Sequence, residues 1–258
     1  ILDNRGQLVP IVFPTPVVNR VRYELDPAAD VLTRQVIHAL RVSDDEELVI
    51  RSGTNRDPSR LSLARYAPSV YANGADIDQL QITNVGLLRS GLLKRLESST
   101  AALVATLERL VVSHKAFLQG LKAGVVITGD ALREYVSSDS DDLEAFLAAL
   151  DERRGGDVDD AAAYDVAALQ RDVELDIALL QHLLGLARDR YASGPDAKVL
   201  ELLEQLTDIA TEAERPDPQA ASSGDRRKVV VFSTYTDTIV ELHRALEDAI
   251  DAADPESP

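Results

Sequence analysis

The chain has no cysteine, no methionine and no tryptophan, and only 4% of its 258 residues are aromatic. Without cysteine there are no disulfides, no thiolate metal ligands and no thiol nucleophile, which fits a reducing compartment such as the cytoplasm. With so few rings, the core has to be built from leucine, valine, isoleucine and alanine, the mixture that favours helix packed on helix. Nowhere do 18 apolar residues run in succession. The opening "ILDNRGQLVP" also lacks the basic and apolar regions of a signal peptide, so the expectation is a cytoplasmic chain with no membrane partner.

Positive charge is scarce overall. The formal net charge of -17 argues against a protein that coats nucleic acid over its whole surface. Distribution carries more information than the sum. Between Asp139 and Asp160 there are nine acids against two bases, whereas between Asn84 and Gly124 six bases (Arg89, Lys94, Arg95, Arg109, Lys115, Lys122) face only Glu97 and Glu108. One basic segment therefore sits within an acidic chain.

The 45% hydrophobic content is enough for a sizeable core. Val17 to Leu25 alternates apolar and polar residues as a half-buried strand would. Asp26-Pro27 then opens a helix through Leu40, with aspartate as N-cap and proline in the first turn. Ser43 to Asp57 reads as a loop, and Arg60 to Tyr71 as helical. The longest signal is an apolar stripe at 88, 92, 96, 99, 103, 107, 110, 114, 118 and 121, broken in character only by Ser99 and His114. Steps of 4, 4 and 3 hold a stripe almost straight along a helix, predicting one of about 50 Å. "ESST" at Glu97 to Thr100 leaves two abutting helices open, because serine and threonine compete for backbone hydrogen bonds. A further helix is expected over Leu143 to Leu150. Arg153 to Asp160 reads as a mobile acidic turn or disordered loop, Ala163 to Tyr191 as a second long helix, and Thr211 to Arg227 as a linker.

The chain ends on "KVVVFSTYTDTIVELHRAL". Val229 to Ser233 is an apolar run of the kind that forms a strand covered on both faces. Apolar residues then recur with helical spacing at Ile239, Leu242, Leu246 and Ile250, which makes a β-α unit. A sheet of one strand cannot exist, so the chain reads as cut from a longer protein. Thr236 or Thr238 is expected to cap the helix, with Glu241 closing a capping box from Thr238.

Catalytic motifs are hard to find. A phosphate-cradling loop needs G-x-x-x-x-G-K-[ST], and the nearest approach, Gly86 to Leu93, has leucines in the last two places and lies in an amphipathic helix. The four histidines are scattered, none has glutamate three residues before it, and His114 falls on the apolar stripe as a core residue would. Arg89, Lys94 and Arg95 beside the leucine stripe suit either a solvated helix face or contact with phosphates. Ser233, Thr234 and Thr236 offer hydroxyls at a helix N-terminus, a place suited to a phosphate or to a plain cap.

Three stretches carry a family resemblance. "KVVVFSTYTDTIVELHRAL" resembles the opening of the second RecA-like lobe of Snf2-type superfamily 2 helicases and translocases. "LLKRLESS", Leu92 to Ser99, looks like the segment that precedes that lobe in bacterial members, and "PDAKVLELLEQL", Pro195 to Leu206, resembles the helix leading into the strand. The resemblance implies a mainly α chain: a helical insertion module followed by one β-α unit of a truncated RecA-like α/β domain. Its expected divisions are a connector over 1–75, the insertion module over 76–210, the linker over 211–227 and the β-α unit over 228–258. It implies a non-catalytic portion of an ATP-dependent translocase that couples two motor lobes. Nucleic acid, duplex DNA above all, would be met through Arg89, Lys94, Arg95, Ser233, Thr234 and Thr236. ATP and magnesium would belong to the parent and not to this portion, and the insertion could also receive a protein partner. The alternative is a stand-alone helical scaffold for protein-protein interaction.

Overall fold

Asp26 caps the first helix as the sequence predicts: its side chain accepts the amide of Ala29 at 2.9 Å, and α1 runs Pro27–Leu40. In the computed structural model, which describes residues 17–41, 57–74, 77–128, 158–215 and 226–252, the architecture is mainly α. Five more helices follow among the described residues: α2 (Gln79–Ser98), α3 (Thr100–Lys122), α4 (Val166–Ala192), α5 (Ala197–Glu214) and α6 (Thr236–Ala252). The only sheet among them is a short antiparallel pair, β1 (Val125–Ile127) with β2 (Val158–Asp160), in which Val125 faces Asp160.

The centre of the molecule is the packing of α3 on α4. The apolar stripe predicted for α4 is realised, with Leu169, Val173, Ile177, Leu180, Leu184 and Ala187 all buried. Opposite them α3 buries Leu103, Leu107, Leu110 and Leu121. One half of this core takes in Leu32 and Val36 of α1 and Leu92 of α2. The other half surrounds Phe117 with Val126, Ile127, Leu169 and Val173. Between the halves His114 is wholly buried, its Nδ1 2.7 Å from the Leu110 carbonyl and its ring edge-on to Tyr66 at 5.7 Å. It is a core histidine.

The stripe from Leu88 to Leu121 is not one helix but two. Ser99 is fully extended at φ -165°, ψ 159°, closes α2 and caps α3 by accepting the Ala102 amide at 3.1 Å. A serine side chain that caps a new helix competes successfully with continuation of the old one. At the far end, Gly124 turns at φ 87° so that β1 folds back along α3. Gly120 makes this possible, because a Cβ there would lie 2.8 Å from Ile127 Cδ1.

Several expectations are corrected. Val17 to Leu25 is not a strand: it pairs with nothing among the described residues and is exposed, Val18 at 93%. Arg60 to Tyr71 forms two 3-10 turns, Ala64–Tyr66 and Pro68–Tyr71, entered through Leu63 at φ 58°. Val158–Asp160, expected in a mobile turn, is β2, held in part by the Ala161 amide on the Gly124 carbonyl at 2.9 Å. The linker begins later than Thr211, since α5 continues to Glu214. Val229 to Ser233 forms no strand and joins no sheet among the described residues, and Val230 and Phe232 are exposed at 74% and 88%. The helix expected over Leu143 to Leu150 and nearly all of the Ser43 to Asp57 loop lie outside the described residues.

Candidate functional site

The residues singled out in the sequence converge where α2 passes into α3 and α6 begins. Arg95, near the end of α2, reaches Asp237 at 2.8 Å and lies over the Tyr235 ring, 4.0 Å from its centre. One turn later Ser98 and Ser99 meet the Thr238 hydroxyl at 2.7 and 3.0 Å. "LLKRLESS" and "FSTYTDT" are thus in direct contact across some 140 residues of chain.

The six candidate nucleic-acid residues are not equivalent. Arg89 is half-buried and donates to the Leu61 carbonyl at 3.0 Å, so it braces the turn before Ala64. Arg95 is engaged by Asp237 and Tyr235. Lys94 is exposed. Ser233 is half-buried and accepts the Tyr235 amide at 3.3 Å, a local turn that leads into α6. Thr234 and Thr236 are exposed beside it. No capping box forms from Thr238, which lies inside α6 with its hydroxyl turned to Ser98 and Ser99.

Beneath this contact lies a polar junction that sequence reasoning missed. Asp196 precedes α5, where an aspartate ordinarily caps its own helix. Instead its carboxylate accepts the Thr100 amide at 2.7 Å and the Thr100 hydroxyl at 2.6 Å, tying the start of α5 to the start of α3. Arg190, only 4% exposed at the end of α4, stands 3.6 Å from Asp196 and 2.7 Å from Asp26. It also donates to the Gly194 and Pro195 carbonyls at 3.0 Å each. A guanidinium with five donors is suited to gather three chain segments in this way. The only sequence signal was the "SGPDA" helix start.

Glu241 of α6 completes the junction and is 9% exposed. Burial first, and then the Asp196 charge, push its carboxyl up to about 7, against the opposing pull of Ser99 and Arg190. Oε2 of this carboxyl is buried without a hydrogen-bond partner. Beside it, an open groove of about 340 Å³ runs between α6 and the α4–α5 turn, bordered by Tyr191, Pro195, Arg244 and Asp248.

A second acidic device works within the core. Asp176, wholly buried on α4, accepts the amides of Ser62 and Ala64 at 2.8 and 3.0 Å and the Ser62 hydroxyl at 2.7 Å. One turn earlier Asp172 accepts the Tyr71 hydroxyl at 2.7 Å. These two carboxylates hold the loop of 3-10 turns against α4.

The stretch nearest to a phosphate-cradling loop does not form one. Gly86 to Leu93 is helix, so its amides are turned to carbonyls four residues back and cannot cradle a phosphate. Among the described residues no cluster of three histidines or carboxylates could hold a metal ion, and no helix is long and apolar enough to cross a membrane. Comparison of the chain with family models, curated proteins and solved structures finds no match.

Proposed function

We propose that the chain is the helical, non-catalytic part of a Snf2-type nucleic-acid helicase or translocase. In this reading it joins the motor's moving parts and meets duplex nucleic acid on the exposed side of α2. The observation that carries the reading is the contact between Leu92–Ser99 and Ser233–Thr238. These are two of the stretches on which the family resemblance rests, and Arg95, Ser98 and Ser99 bind one to the other. Arg95 then acts as a joint between the helical part and the unit that begins at Lys228, while Lys94 supplies the outward charge.

The test is binding of duplex DNA by the whole chain across salt from about 50 to 200 mM, followed by fluorescence anisotropy. Phosphate contact predicts affinity that falls steeply with salt, and Lys94→Ala lowering the slope by roughly one unit with no change in sequence preference. No duplex binding at the lowest salt sinks the nucleic-acid role. A second reading, a protein-binding scaffold, is favoured by the exposed apolar residues Val230, Phe232 and Ile250. It predicts partner binding that salt does not weaken.

A further inference from the structure

We propose that α6 is a detachable latch, docked on the α3–α5 junction while the Glu241 carboxyl is protonated and released when that carboxyl ionises. The inference stands on geometry independent of the motor reading. The residues of α6 buried against the body are Thr238, Glu241 and Ala245, a polar and small set. None of its large apolar residues is fully buried: Leu242 and Leu246 are half-buried, and Ile239, Val240 and Ile250 are exposed at 40%, 63% and 70%. Docking therefore rests on hydrogen bonds at Thr238, the Arg95–Asp237 pair and the state of Glu241, with only the half-buried Leu242 and Leu246 adding large apolar area.

A neutral carboxyl tolerates that site and a charged one does not. Removing charge from water without full pairing is costly, and here Oε2 has no partner. From the α4–α5 turn, Asp196 opposes ionisation and Arg190 favours it, but Arg190 already answers Asp26 and Asp196. From the α2–α3 boundary, Ser99 favours the ionised form, while Arg95 is committed to Asp237. On α6 itself Arg244 and Asp248 are exposed and lie 3.9 Å apart, and His243 faces Glu247 at 3.3 Å on the outer side. These opposing influences leave the carboxyl titrating at about 7. In a released helix it would titrate near 4.5, so between those values opening becomes tenfold easier with each pH unit.

Amide hydrogen exchange on the whole chain, corrected for the intrinsic effect of pH, tests the latch. Between about pH 5.5 and 8, protection across α6 should fall at least about tenfold while the α3 amides near Leu103 to Leu110 hold theirs. Glu241→Gln should give α6 the same protection at both values, and His243→Gln, which removes the side chain of the type that titrates nearest neutrality, should leave the wild-type response intact. Unchanged wild-type protection, a parallel fall in α3, or loss of the response in His243→Gln overturns the proposal. If Glu241→Gln fails to dock at either pH, the wild-type profile decides: protection that falls from about pH 4.5 and levels off near 7 supports the latch, and protection flat across that range rejects it.

Discussion

The α3–α4 core and the α6 junction are both helix-on-helix contacts, yet they bury opposite kinds of side chain. Between α3 and α4 the apolar stripes face inward and meet, with Phe117, Leu103, Leu107 and Leu180 essentially inaccessible. At α6 the fully buried residues are Thr238, Glu241 and Ala245, while Leu242 and Leu246 are half-buried and Ile239, Val240 and Ile250 are left open. The first contact is held by area removed from water, which is non-directional and large. The second is held by a few directed bonds and one titrating acid, so it answers to single atoms and to pH. Amphipathic spacing alone does not tell which side of a helix will find the body. α4 and α6 both show a stripe in sequence, and only in α4 is the stripe fully buried.

The largest expected effect sharpens this contrast. Phe117→Ala should cost about 3–5 kcal/mol of stability in chemical denaturation, because it opens a cavity among Val126, Ile127, Leu169 and Val173. Ile250→Ala on α6, at 70% exposure, should stay within about 0.5 kcal/mol. Similar losses at the two sites would break the comparison and mean that the outer face of α6 is covered.

What the sequence made legible follows the same division. Helices close their own hydrogen bonds, so α1 with its Asp26-Pro27 start and α4 with its apolar stripe could be read locally. Strands need a partner elsewhere, and Val17–Leu25 and Val229–Ser233 have strand-like patterns without one among the described residues. The break at Ser99 was visible only as an option, because the apolar stripe continues across it. At the candidate site the resemblance named Leu92–Ser99 and Lys228–Leu246, but neither their contact nor the bonds that make it could be read from the sequence. Asp172 and Asp176 stayed hidden because an acid on a helix reads as a solvated face until the chain that covers it is known, Asp196 because it reads as a plain cap of its own helix, and Glu241 because it reads as half of a capping box.

Asp176 provides the next test. It belongs to the core by position and to the junction by chemistry, so Asp176→Ala should strand the amides of Ser62 and Ala64 together with the Ser62 hydroxyl. The expected loss in thermal denaturation corresponds to about 2–3 kcal/mol. Asp176→Asn keeps one acceptor and should lose less. If alanine and asparagine are equally mild, the loop is held by packing of Leu61 and Leu63 and not by the carboxylate.

Acidity separates the regions more gently. The Glu241 carboxyl is raised in the folded protein, so folding takes up a proton between about 4.5 and 7. Its contribution favours the fold at low pH and is lost as pH rises through that window. Glu241→Gln should therefore be more stable than wild type at pH above about 7 and lose that advantage near pH 4.5, seen as two stability profiles that converge as pH falls. Asp57 works in the reverse direction: its bonds from Ser59 hold its carboxyl below the usual range, so its share is lost as pH falls. A Glu241→Gln variant with the same pH slope as wild type would remove the acid from the account of α6.

The smallest effect concerns adjacent cations that the sequence could not tell apart. Arg95 is 24% exposed and held at 2.8 Å by Asp237, with the Tyr235 ring beneath it, whereas Lys94 points to solvent. Partly exposed ion pairs contribute little, and a guanidinium over an aromatic ring adds a comparable amount. A double-mutant cycle of Arg95→Ala with Asp237→Ala should give a coupling of about 0.5–1 kcal/mol that weakens with salt. Lys94→Ala should leave stability unchanged and alter only the salt dependence of duplex binding. The reverse assignment, a stability loss from Lys94 and a binding loss from Arg95 without coupling to Asp237, would mean that the α2–α6 contact opens when nucleic acid is present. The joint would then be a state of the free chain alone, and Arg95 would join Lys94 on the phosphate-facing side.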